Sequence, residues 1–256
     1  MKNSLKALTI AAAATTLRGL TEGRNETTNR EINQDNITRA NITGANKYPF
    51  VLLPLPYAPN SLEPHIDTRT MVLHHDAHLG EYVNNLNATL KDYPELHNWT
   101  LEKLLFNVNK LPKEIQTAVR NNGGGVFNHY LYFDLLIKNG VNLNPNSDLA
   151  LAINRDFGSI TNLKSQLKTA GMNQFGSGWS WLVSNKDGIL SVMSSANQDN
   201  FIEKNLTPVI NIDVWEHSYY LLRQNRRDIY IDNFFKVLNW DIATFNYSKH
   251  KETDYS

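Results

Sequence analysis

Residues 208–224 read PVINIDVWEHSYYLLRQ, and the periodicity changes in the middle of that run. Pro208 to Val214 is β-branched and apolar, as a buried strand is, whereas His217 to Gln224 spaces its apolar side chains as a helix does. A strand running straight into a helical turn leaves two polar groups at its corner, Asp213 and His217, four residues apart. Upstream, Ser180 to Ser184, a turn at Lys186-Asp187-Gly188 and Ile189 to Ser194 read as a hairpin. Two helices, Asp148 to Phe157 and Ser159 to Met172, are expected before the hairpin, and another, Ile229 to Val237, follows the corner.

The chain ahead of this region reads differently. Pro54, Pro56 and Pro59 keep it extended before a helix expected from Pro64 to Leu90, with Met71, Leu73, Tyr82, Val83 and Leu86 recurring at helical intervals. Further helices are expected over Leu101 to Leu111, Pro112 to Asn122 and Val126 to Lys138, with Gly123, Gly124 and Gly125 breaking the pattern between the last two. Asn139 to Ser147, with Gly140 and Pro145, is a composition break and the expected domain boundary. The fold class is therefore α+β. An N-terminal helical domain (48–138) with hairpin-like helices precedes a C-terminal α/β domain (139–256) carrying a small antiparallel sheet.

At the start, Lys2, Lys6 and the small, weakly apolar run from Ala7 to Leu17 resemble a targeting segment (1–20). Export is expected, with the mitochondrial matrix as the alternative. Residues 21–47 are rich in Asn, Thr, Arg and Glu, bury little, and are expected to be a disordered polar linker. Lys plus Arg and Asp plus Glu are 25 each, so overall charge names neither nucleic acid nor an acidic membrane as the partner. No stretch is apolar enough to span a bilayer. The absence of cysteine removes thiolate metal sites, disulfides and iron–sulfur clusters together. Any metal site has to use His, Asp or Glu.

His74, His78 and Tyr82 lie at i, i+4 and i+8, one polar line on an apolar helix. His129 follows the triple glycine, and Asp213 with His217 completes a set of three imidazoles and one carboxylate that suits manganese, iron or zinc. Spacing alone leaves other readings open. His129 reads equally as a core histidine bonded to a carbonyl, Asp213 and His217 as a structural ion pair, and His74, His75 and His78 as a polar helix edge.

Six stretches narrow the choice: LPYAPNSLEPHID (55–67), HHDAHLGEYVNNLN (74–87), AVRNNGGGVFNHYLYF (118–133), GSGWSWLV (176–183), ANQDN (196–200) and DVWEHSYYLLRQNRR (213–227). In order and spacing they resemble the iron/manganese superoxide dismutase family, from Tyr48 to Tyr247. The resemblance implies a metal site between the two domains, with His74, His129, Asp213 and His217 as ligands. It implies that His78 and Tyr82 stand at the mouth of the substrate channel, and that Trp179, Trp181 and Trp215 form an aromatic cage. It further implies that Glu216 and Tyr220 meet a second subunit, and that Arg227 guides the anion inward. The expected assembly is a homodimer, with a tetramer left open, and the expected substrate is superoxide. The family's iron type carries a glutamine four residues before the second histidine ligand; its manganese type has glycine there and takes the glutamine from the C-terminal half. Here those are Gly125 and Gln198, which implies one manganese per chain, with an iron-loaded or dual-metal enzyme as the alternative. A hydrogen bond toward metal-bound solvent tunes the metal's potential, so the glutamine's origin matters.

Phe133 stands where most members carry tryptophan, Val126 where a polar residue is common, and Ala77 where some relatives have lysine. None is a ligand, so activity is expected to persist with an altered rate. Three rival readings stand beside it: a two-histidine, one-carboxylate iron oxygenase, a metal hydrolase with Glu216 as base, and a non-catalytic exported metal-binding or coat protein.

Overall fold

The computed structural model describes residues 46–252 and residue 255. The expected targeting segment and nearly all of the expected linker lie outside the described residues. At the linker's end, Asn46 is already tied to the fold: its side chain donates to Glu102, and its backbone carbonyl accepts from Leu101.

The first half is helical. Asp67 caps α1 (Thr68–Val72), its Oδ1 accepting the Thr70 N–H at 2.9 Å. The helix continues through a π-wound segment, Leu73–Leu79, into α2 (Gly80–Leu90). Thr100 caps α3 (Leu101–Phe106), which ends earlier than the apolar spacing suggests and gives way to a 3-10 turn, Val108–Lys110. After α4 (Lys113–Ala118) comes a second π segment, Val119–Gly123, which runs without interruption into α5 (Gly124–Asp134).

The expected break at Gly123–Gly125 is thus overturned: the three glycines are helical. Glycine is unfavourable inside a helix by up to about 1 kcal/mol relative to alanine. Close approach is what these positions gain. A β-carbon on Gly124 would collide with the backbone carbonyl of Gln198, and one on Gly125 would sit 2.5 Å from the Tyr82 ring.

In the second half, Ser147 caps α6 (Asp148–Phe157), which stops at Gly158 with φ +75°, and Ser159 caps α7 (Ile160–Asn173). Three strands follow: β1 (Gly178–Ser184), β2 (Leu190–Ala196) and β3 (Thr207–Asp213). They form one antiparallel sheet in the order β2-β1-β3. β1 and β3 are buried along their whole length, while β2 is buried only at Leu190 and Ser195 and forms the wetter edge. A 3-10 turn (Glu216–Ser218), α8 (Tyr220–Arg223), α9 (Arg227–Val237) and α10 (Trp240–Ser248) close the chain. The last helix, capped by Asn239, was not expected from the sequence.

Register decides what the sheet offers to each side. Trp179 pairs with Asp213 and Trp181 with Asn211. Directly paired residues project to one face, so both tryptophans, Asn211 and Asp213 share it. That face receives α5, where Asn211 donates to the Asn128 carbonyl at 2.8 Å. The other face receives α7, where Ser180 donates to the Leu167 carbonyl. One continuous apolar core runs from Leu62 and Met71 in the first half to Phe234 and Leu238 in the second.

Candidate metal centre

Four side chains from distant parts of the chain converge where α5 meets the Trp179 face of the sheet: His74, His129, Asp213 and His217. Each offers a ligand atom within 4.8 Å of the others. Asp213 Oδ2 is the common neighbour, 3.0 Å from His74 Nε2, 3.1 Å from His217 Nε2 and 3.8 Å from His129 Nε2. His74, His129 and Asp213 are buried completely, and His217 is nearly so.

The polar atoms here are oriented but not satisfied. His129 Nδ1 is bonded to the Gly125 carbonyl at 2.6 Å, which turns Nε2 toward the cluster. Neither nitrogen of His74, nor Nε2 of His129, has a hydrogen-bond partner. His74 Nε2 lies close to the carboxylate without the alignment of a hydrogen bond, so the two atoms converge on a shared centre. Orphaned buried nitrogens cost about 1–3 kcal/mol each, and such groups persist in native proteins where a ligand completes them.

Burial, reinforced by the neighbouring His217, lowers the pKa of His74 to about 4. His129 is pushed well below the ordinary imidazole value by burial and by His74. Burial alone would raise the Asp213 carboxyl, yet the charge and hydrogen bond of His217, with the close approach of His74, outweigh it and hold it below the usual range. Neutral imidazoles at His74 and His129 facing an ionised carboxylate are the protonation states that metal ligation requires. The residues present therefore fit a divalent or trivalent redox ion.

His75, beside His74, is turned away and held by Asp76 and the Leu53 carbonyl, each at 2.7 Å. Only the first histidine of the pair faces the site. His78 is half-buried and stacks on His217 at 4.3 Å between ring centroids. Tyr82 accepts a hydrogen bond from Gln198 Nε2 at 3.0 Å, and burial raises its pKa, so the phenol stays protonated at neutral pH. Trp179 donates to Gln198 Oε1 at 3.2 Å and meets His129 edge-on. Trp181 lies behind Trp179, donating to Ser195, and Trp215 stacks on His217. Phe133 completes the wall 5.0 Å from His74.

Three expected residues stand away from this cluster. Glu216 and Tyr220 are exposed, Tyr220 to 48%. Arg227 donates to the Tyr219 hydroxyl and to the carbonyls of Gly171, Gln174 and Gly176. Its charge is therefore anchored to the segment that precedes β1.

Asn128 is a residue the sequence reading passed over. It is fully buried and donates to both Gln198 Oε1 and the Gln198 carbonyl. The signal was available: a polar side chain on an otherwise apolar helix, immediately before a ligand candidate.

A His3Asp cluster lying between a helical hairpin and a three-stranded antiparallel sheet, with a glutamine–tyrosine pair beside it, defines a mononuclear metalloprotein of α+β class. Comparison with known families agrees with that class. Residues 49–137 match the model described as iron/manganese superoxide dismutases, alpha-hairpin domain, and residues 145–246 match the corresponding C-terminal domain. The chain belongs to the iron/manganese superoxide dismutase family. A manganese superoxide dismutase of Thermus thermophilus is 51% identical over 196 residues, covering 77% of this chain and 96% of that protein. One from Bacillus cereus is 48% identical over 198 residues (77% and 94%), and one from Leptolyngbya boryana is 45% identical over 203 residues (78% and 82%).

Proposed function

We propose that this chain disproportionates superoxide into dioxygen and hydrogen peroxide, using one manganese ion held by His74, His129, Asp213 and His217. The observation that carries the proposal is the convergence of three Nε2 atoms on one buried carboxylate oxygen while His74 and His129 lack any protein partner there. The ion, when bound, supplies one-electron exchange between adjacent oxidation states. Zinc lacks that capacity.

The chain's own groups do the rest. Asp213 contributes the single negative charge, and the imidazoles of His74, His129 and His217 moderate it. Trp179, Trp181 and Phe133 keep the pocket apolar, which strengthens every charge interaction inside it. Gln198 donates to Tyr82 Oη, leaving the phenolic proton of Tyr82 free to be donated to substrate; His78, beside it, links the pocket to solvent. Arg227 acts through its field rather than by contact, since its guanidinium is held by the Tyr219 hydroxyl and three carbonyls, and such a field raises encounter rates with a small anion.

Manganese is favoured over iron by position 125. The Tyr82 ring occupies the space that any side chain there would need, so the amide has to come from Gln198. Glu216 and Tyr220, with neighbouring Leu221 at 46% exposure, form the surface through which two subunits pair. The N-terminal segment directs export.

Removal and return of metal tests the reading. Metal-free protein should be inactive, manganese near one ion per chain should restore superoxide consumption, and iron should restore less. Full zinc occupancy with no activity after manganese return would overturn it.

A further inference from the structure

Gln198 has two chemically different ends, and its function depends on which end faces Tyr82. With Nε2 donating to Tyr82 Oη, as here at 3.0 Å, the phenol's own proton remains available. Reversed, Oε1 would accept that proton and turn it away from substrate. Trp179 Nε1, which can only donate, holds Oε1 from one side at 3.2 Å.

A second restraint comes from further away. The backbone N–H of Ile202, also donor-only, points to Asn200 Oδ1 at 3.2 Å. That leaves Asn200 Nδ2 to donate to Asn128 Oδ1 at 3.3 Å. Asn128 is thereby fixed with Nδ2 toward Gln198, donating to Oε1 at 3.1 Å and to the carbonyl at 3.0 Å. Every amide in the series can be reversed only by setting donor against donor or acceptor against acceptor. Gly124 permits the arrangement, because a β-carbon there would displace the Gln198 carbonyl. Asn128 and Gln198 are buried, so water does not relieve a mismatch cheaply.

We propose that Asn200, which touches neither the ligands nor Tyr82 in any hydrogen bond, is a positioning residue for proton delivery: through Asn128 it fixes the donor end of Gln198 on Tyr82. The inference rests on the dismutase reading for its kinetic consequence, but the amide orientation is a property of the metal-free chain as well.

Asn200→Asp is the sharpest test. It preserves shape and the acceptor for Ile202 N–H, but replaces the donor to Asn128 with a second oxygen. In metal-free protein, the side-chain amide NMR signals of Gln198 and Asn128 should shift or double. In the manganese-loaded protein, kcat should fall about tenfold, a fraction of what a positioned proton donor contributes, while KM stays within about twofold of wild type and metal content is unchanged. Asn200→Ala removes the donor without adding charge, so it should move the same signals and lower kcat less; it also serves if the Asp variant does not fold. Unmoved amide signals in either folded variant would overturn the proposal. So would a kcat loss that merely follows a falling Tm or metal content. An inactive wild type would instead sink the dismutase reading, and the amide signals would then decide the orientation claim by themselves.

Discussion

The helical half presents His74 and His129 on helices held by packing, their facing nitrogens unsatisfied, whereas the sheet-bearing half presents a carboxylate already secured by hydrogen bonds. Asp213 Oδ1 accepts the Trp215 N–H at 2.8 Å, Oδ2 meets His217, and the Asp213 carbonyl accepts from Ser218. In the first half, both ligand helices contain a π-wound segment: Leu73–Leu79 holds His74, and Val119–Gly123 precedes His129 by one to two turns. Such segments are frequent at functional sites because they re-aim side chains within a continuous helix. One half supplies charge and the other supplies aim. Damage to each should therefore be distinguishable.

The largest effect is expected from the charge. Asp213→Asn keeps the shape but removes the only anion among the four proposed ligands. Bound manganese, measured by elemental analysis, should fall at least about tenfold, since even changes behind the ligands cost 10–100-fold, and turnover should fall with it. Retained metal with normal activity would mean that the two halves do not divide the work in this way.

An attack on aim should leave the metal in place. In Gly125→Ala, the added β-carbon lies 2.5 Å from Tyr82 Cγ, so Tyr82 has to move off Gln198. Forcing an extra carbon into a packed site costs about 1–3 kcal/mol; a lowered Tm with several-fold slower turnover and near-normal manganese is the expected result. Full activity would show that Tyr82 has slack that the structure does not suggest.

Acid should separate the halves in the metal-free protein. Burial holds His74 to about 4 and His129 well below the usual value, while the unfolded chain's imidazoles titrate near about 6.5. Between those limits the unfolded state binds more protons, so stability is present above about pH 6.5 and is lost as pH falls toward 4. Asp213, with its lowered pKa, loses its contribution only below the ordinary carboxylate range. Thermal melts of the apo protein should therefore show Tm declining from pH 7 to pH 4. His74→Gln should flatten part of that slope.

Smallest for the fold itself is a change on the exposed face. Leu221→Asp should leave Tm of the isolated chain nearly unchanged, as surface substitutions do, yet shift sedimentation toward monomer. An unchanged assembly would contradict pairing through this face.

Much of this architecture was legible in the sequence, and the exceptions share a cause. Ser147 and Gly158 mark both ends of α6, and the turn at Lys186-Asp187-Gly188 marks the hairpin, because caps and turns are local chemistry. That His74, His129, Asp213 and His217 would converge was legible only through resemblance, since spacing equally allowed a core histidine and an ion pair. The triple glycine misled because its purpose is tertiary: room for Tyr82 and the Gln198 carbonyl is invisible along the chain. Asn200 escaped for the same reason, whereas Asn128 left a trace as a polar side chain on an apolar helix, and α10 was missed because its apolar residues, Trp240, Ile242, Ala243 and Tyr247, are buried on more than one face and carry little periodic signal.

Whether four side chains grip one redox ion is settled most directly by anomalous diffraction at the manganese edge from crystals of the manganese-loaded protein. One strong peak per chain within coordination distance of His74, His129, Asp213 and His217 is the expected result. A peak elsewhere, or those four groups closed on one another with no manganese signal, would contradict it.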